Sequence, residues 1–138
     1  MQSAAAKNFN WLLNEFANAT AGVHDAIAVS ADGILLAASA GLARPSAEQF
    51  AAITSGLQSL TTGASRCFDM DGVQQIIVEL GKGYLFVTTI SVGSSLGVLA
   101  EKDCEIGLVA YEMTLFVERA GAVLTPALIT ELKNLITV

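Results

Sequence analysis

The side chains that most often do chemistry are few in this sequence and far apart. His24 is the single histidine, which removes any multi-histidine metal site and leaves one imidazole for a catalytic triad. It stands at a predicted strand start beside Asp25 and reads as a surface histidine rather than a base. Gly81-Lys82-Gly83 offers a fragment of a phosphate-binding loop, but Ile76 stands where that loop needs its first glycine and Gly83 where it needs a hydroxyl. A β-turn explains the fragment better. The carboxylates gather as Asp69 with Asp71 and as Glu101, Asp103 and Glu105, all in predicted turns or at a helix start, where solvation and capping account for them. Arg44, Arg66 and Arg119 flank predicted helix ends and suit carbonyl capping or surface pairing; action on a nucleotide in trans is the sharper alternative. Cys67 and Cys104 have neither a CxxC spacing nor a histidine neighbour, so reduced thiols are expected rather than a disulfide or zinc site. These residues specify no catalytic centre, and neither a metal nor a cofactor is expected.

With chemistry unsupported, surface becomes the question. Apolar residues make up 53% of the 138 and charged ones 14%, against about 25% charged in an average soluble domain. Part of the surface should therefore be covered by protein. The net charge of −6 argues against nucleic acid or an anionic membrane as direct partner, because both attract Lys and Arg. The stretch Gly83 to Ala100 is uncharged, yet Thr88, Thr89, Ser91, Gly93, Ser94, Ser95 and Gly97 suit two strands better than a membrane span. The N-terminus has no basic region followed by a long apolar one. The expectation is one domain over residues 1–138 with its core at about 7–120, cytoplasmic, reaching a membrane only through partners.

Hydrophobic spacing supplies the elements. Phe9, Leu12, Leu13 and Phe16 mark a helix over Lys7 to Ala19, with Trp11 on its far side. Either the N-terminus folds back over that indole or a partner contacts it. Val23 to Ser30 and Ile34 to Ala40 read as strands joined by Ala31-Asp32-Gly33, an Asp-Gly turn with both central positions at positive φ. Strands follow at Val73 to Leu80, Tyr84 to Ser91 and Leu96 to Glu101. A helix capped by Asp103 then runs through Ile106, Val109, Met113 and Phe116 to Gly121, and a short one covers about 125–136 through Leu128, Leu132 and Ile136. The order is α-β-β-α-β-β-β-α, an α+β sandwich of one five-stranded antiparallel sheet with helices on both faces.

One helix stands apart from the rest. In Pro45 to Arg66, Phe50, Ile53, Leu57, Leu60 and Ala64 fall on one side and predict a core-facing stripe. The opposite face carries Ala52, Ser55, Gly56, Ser59 and Gly63 instead of charges. Glycine inside a helix costs roughly 1 kcal/mol relative to alanine, so Gly56 and Gly63 suggest close approach by another backbone.

Asn10-Trp11-Leu12-Leu13, Gly22-Val23, Val29-Ser30-Ala31-Asp32-Gly33 with Leu35 to Ser39, Ala51-Ala52-Ile53-Thr54-Ser55-Gly56-Leu57, and Leu108 to Met113 occur in an order that resembles the Roadblock/dynein-light-chain family. The resemblance covers about Phe9 to Glu131 and is closest to the prokaryotic MglB-like branch, which includes actinobacterial members. It implies a Roadblock/profilin-like fold and a homodimer in which the long helices pair and the third strands run antiparallel. Ala52, Ser55, Gly56, Ser59 and Gly63, with Gln75 and Ile77 on the strand edge, would form that interface. It further implies a signalling module that binds and regulates a small Ras-like, MglA-type GTPase without a catalytic site of its own. A profilin/PAS-like small-molecule sensor, with its ligand between sheet and helix, is the alternative.

Overall fold

The computed structural model describes residues 2–137. Helix α1 (Ala4–Ala19) begins three residues earlier than hydrophobic spacing indicates, because the Ser3 hydroxyl accepts from the Ala6 N–H at 3.1 Å and caps the first turn. Strands β1 (Val23–Ser30), β2 (Leu35–Ala38), β3 (Ile76–Leu80), β4 (Gly83–Ser91) and β5 (Ser94–Glu101) pair antiparallel in the order β2-β1-β5-β4-β3. Helix α2 (Arg44–Cys67) crosses one face of this sheet alone, while α1, α3 (Ile106–Gly121) and α4 (Pro126–Thr137) cover the other. The expected α+β sandwich is the one observed.

Alternation along the strands separates the two cores. Phe86, Leu96 and Val98 point toward Phe9, Leu13, Met113 and Leu132 of the three-helix face. Ile27, Val29, Leu85 and Val87 point toward Phe50 and Ala51 of α2. The last helix belongs to the first of these cores through Leu128, Ile129 and Leu132; the side chain of Ile136, expected on the same stripe, lies outside the described ones.

Four local expectations are corrected. In the β1–β2 turn only Gly33 takes positive φ, at +85°, and its N–H donates to the Ser30 carbonyl at 3.0 Å. The pairing slips by one residue between Ala28 and Val29, so Ile34 is spent on the turn and β2 is short. Strand β3 begins at Ile76 rather than Val73, because Asp69 (φ 56°), Asp71 (φ 60°) and Gly72 (φ 88°) hold the preceding chain in left-handed conformations. Helix α3 is entered through Glu105 instead of Asp103. Cys104 packs so tightly on Gly22 that a Cβ there would lie 2.6 Å from its own, and this fixes the chain up to the helix start.

The largest correction concerns α2. Its sheet-facing row is Ala47, Phe50, Ala51 and Thr54, continued by Ser65. Of the expected core stripe only Phe50 is buried; Leu57 is half-buried, Ala64 is exposed, and Ile53 and Leu60 are 52% and 74% exposed. Small residues face the sheet because α2 lies very close to it: a Cβ at Gly97 of β5 would meet Thr54 Oγ1 at 2.7 Å.

Lys133 of α4 reaches Asp32 at 3.2 Å and ties the last helix to the β1–β2 turn. The Ser30 hydroxyl and this ammonium hold the Asp32 carboxyl below the ordinary carboxylate value. A lowered carboxyl stabilises the fold fully above its unfolded value of about 3.9 and ceases to do so as pH falls through the lowered one. Both groups are partly exposed, so Asp32→Asn is expected to cost under about 1 kcal/mol at pH 7. In urea melts at a series of pH values, that difference should close on descending below pH ~4.

Candidate functional site

The exposed apolar surface on the α2 side is built from three segments. Ile53 and Leu60 lie one row over from the sheet-facing side chains, on the flank of α2 toward β3, in line with Leu57 and Ala64. The end of α2 turns through Phe68, whose N–H donates to the Ala64 carbonyl at 3.0 Å. Buried Ser65 then anchors the left-handed loop: its carbonyl accepts from the Met70 N–H at 2.8 Å and its hydroxyl from the Gly72 N–H at 2.6 Å. This pinning leaves Phe68 and Met70 facing outward, both about 70% exposed. Next comes β3, which ends the sheet with one backbone edge unpaired among the described residues, and whose Ile77 is also exposed.

The expected interface residues fall into two groups around this surface. Ala52, Gly56, Ser59 and Gly63 lie on the outer crest of α2, and neither glycine has a neighbour within 4 Å of where a Cβ would be. Ser55 lies lower, half-buried, donating to the Ala31 carbonyl at 3.4 Å. Ile77 sits within β3, whereas Gln75 precedes it. Sequence reading named crest and edge residues as an interface but assigned Ile53 and Leu60 to the core and passed over Phe68 and Met70. The detectable signal was the row Ala47, Ala51, Thr54, small enough to lie flat on a sheet.

The other flank of α2 differs in chemistry. Ser55, Gln58, Ser59, Thr62 and Arg66 face Thr89 and Ser95 across an open trench of about 460 Å³ with no carboxylate in its lining. Gln58 Nε2 spans it, donating to Ser95 Oγ at 2.9 Å and Thr89 Oγ1 at 3.2 Å.

The residues considered for chemistry remain separate. His24 is exposed, with Nε2 3.4 Å from Glu101. Burial and the carboxylates of Asp103, Glu101 and Glu105 push the Cys104 thiol up, keeping it protonated, while Cys67 is exposed at the end of α2. Its hydrogen bond to the Glu79 carboxylate holds the Lys102 ammonium above its ordinary value as it lies over the Tyr84 ring. Among the described residues no group of three His, Cys, Asp or Glu is placed to hold a metal ion. No single helix among them is long and apolar enough to cross a membrane.

Trp11 lies in neither α2 surface. It is 61% exposed on the three-helix face, and α1 begins at Ala4 and runs straight through it, so none of the described residues before the helix folds back over the indole.

Comparison with known proteins agrees with this architecture. A Roadblock/LC7 domain from Streptomyces avermitilis is 34% identical and superposes with a TM-score of 0.79, over 83% of this chain and 96% of that one. Myxococcus xanthus MglB is similar in fold at 18% identity, with a TM-score of 0.73 over 91% and 90% of the two chains. Schizosaccharomyces pombe profilin shares the fold more distantly, at 16% identity and a TM-score of 0.60 over 85% and 99%. No curated protein matches significantly by sequence. The family model for the Roadblock/LC7 domain matches residues 9–100, two-thirds of the length. The chain belongs to the Roadblock/LC7 domain family.

Proposed function

We propose that the protein is a homodimeric scaffold that binds and regulates a small Ras-like GTPase of the MglA type. The observation that carries the dimer is the continuity of the exposed Ile53–Leu60 ridge with Phe68, Met70 and the free edge of β3. Such an apolar surface beside an unpaired strand favours a second copy over solvent. The spacing along α2 suggests the register. Ile53 and Gly63 are equidistant from Gln58, as are Gly56 and Leu60. Antiparallel pairing centred there seats Leu60 and Ile53 of one copy on Gly56 and Gly63 of the other. Ala52 and Ser59 line the crest beside this seam, Ser55 lies below it on the trench side, and Gln75 and Ile77 flank antiparallel pairing of the two β3 strands.

The GTPase assignment rests on the family: a regulatory Roadblock domain of MglB-like fold acts by binding, and the low charge of this chain suits a protein partner. Sedimentation velocity of the purified protein with a Ras-like GTPase of the same genome, loaded with GDP or a GTP analogue, tests it. A faster-sedimenting complex in one nucleotide state is expected; no association in either state would overturn the assignment.

The sensor reading has one specific observation in its favour, the hydroxyl-lined trench beside Arg66. It would place a small polar ligand between α2 and the sheet.

A further inference from the structure

The three-helix face carries a second apolar surface that the α2 pairing leaves untouched. Between α1 and α3 runs a groove whose floor is Leu12, Phe16, Leu115 and Phe116. Trp11 stands on its α1 side. Tyr111, 59% exposed, and Leu108 continue the row of Leu115 along α3. Neither the Trp11 indole N–H nor the Tyr111 hydroxyl has a hydrogen-bond partner among the described residues. Large aromatics with free polar tips beside an apolar groove are a poor arrangement for water and a good one for protein.

The charges identify the occupant. Glu15 of α1 and Glu112 of α3 both line the groove, one from each wall, and neither has an ion pair among the described residues. Arg119 is the single basic residue in the lining. An apolar floor between two unpaired carboxylate walls is complementary to a helix whose apolar row is flanked by Lys or Arg on both sides. A groove between two parallel-layered helices also has the shape that receives a third helix by ridge-into-groove packing. The same carboxylates oppose an anionic lipid surface.

We propose that the α1–α3 groove is a docking site for a basic amphipathic helix of a partner protein, separate from the α2 surface and independent of the GTPase assignment.

Trp11 is the only tryptophan, so its emission reports occupancy of this groove without a label. The probe is a synthetic peptide of about 18 residues, roughly five helical turns, with leucines at i, i+3, i+4 and i+7 and lysines on both flanks. Titration into the full-length protein should shift Trp11 emission to the blue and saturate. Glu15→Lys/Glu112→Lys should weaken that binding by about tenfold or more. Glu48→Lys/Asp103→Lys changes net charge equally, on α2 and in the β5–α3 loop, and should weaken it less than about threefold. Circular dichroism confirms that each variant is folded. Three results would overturn the proposal: no shift with the lysine peptide, equal weakening by both double variants, or the same shift with a leucine–glutamate peptide or phosphatidylcholine vesicles.

Discussion

Leu60→Glu is expected to convert the proposed dimer to a monomer while leaving the fold of each copy intact. In the single chain Leu60 is 74% exposed and belongs to neither core, so its replacement should change unfolding free energy by no more than about 0.5 kcal/mol. In the proposed pair, each Leu60 would fill the notch at Gly56 of the other copy, and burying a leucine contributes roughly 1.5–3 kcal/mol. The two-fold axis doubles the loss, and a carboxylate in a dry seam adds desolvation on both sides. The sum exceeds about 4 kcal/mol, a weakening of around a thousandfold or more. Sedimentation velocity across a concentration series reads the dissociation, and urea unfolding reads the intact monomer. A Leu60→Glu protein that stays dimeric would place the interface elsewhere.

The register has its own test. Gly56 has open space around it within the chain, so Gly56→Leu meets nothing until a second copy arrives with Leu60 and overfills the notch. Gly56→Leu should therefore dissociate the pair. Adding Leu60→Ala to the same chain should restore it, since the axis relieves both contacts at once. Failure of the second substitution to rescue would exclude the centring on Gln58 but not the dimer.

What sequence spacing conveys, and what it does not, is visible in α2 itself. The helix was legible because apolar residues recur with its period, yet the period does not say whether a stripe meets its own sheet or another chain. Ile53 and Leu60 have the side chains of core residues but are exposed in the single chain, and an interface between chains would use the same residue types. Strand β1 was legible from Val23 to Ser30, because the apolar run Ala26 to Val29 leads straight into an Asp-Gly turn. Strand β3 was overextended because left-handed Asp69 and Asp71 leave little trace in residue type, aspartate being common in any loop. Trp11 was recognised as out of place on a polar helix face, but its groove required α3, nearly a hundred residues away in sequence.

The remaining misreading, the rotation of α2 about its axis, leads to Gly97. This residue lies in β5 beneath the helix, where an added Cβ would meet Thr54 Oγ1 at 2.7 Å, Phe50 Cζ at 3.1 Å and Ile27 Cγ1 at 3.2 Å. Thr54 is fully buried, β-branched on a helix, and its hydroxyl has no hydrogen-bond partner among the described residues. It has little room to swing aside, because a β-branched threonine on a helix has only two favoured χ1 rotamers and this one is buried on every side. Gly97→Ala must then push α2 off the sheet or force Thr54 and Phe50 from their rotamers, at about 1–3 kcal/mol, and Gly97→Val should cost more. Thr54→Ala alone removes a buried unpartnered hydroxyl along with a methyl, two effects of opposite sign, and should change stability little. In the double variant the shortest contact is gone. A urea-denaturation cycle should thus show Gly97→Ala/Thr54→Ala more stable than Gly97→Ala, with a coupling of about 0.5–3 kcal/mol. The shift of α2 also moves the Ile53–Leu60 ridge relative to the edge of β3, so Gly97→Ala should weaken dimerisation from a position that no second copy touches. A Gly97→Ala protein as stable as the original would mean that α2 does not lie against β5 at this spacing, and the sheet-facing role of Ala47, Ala51 and Thr54 would lose its physical basis.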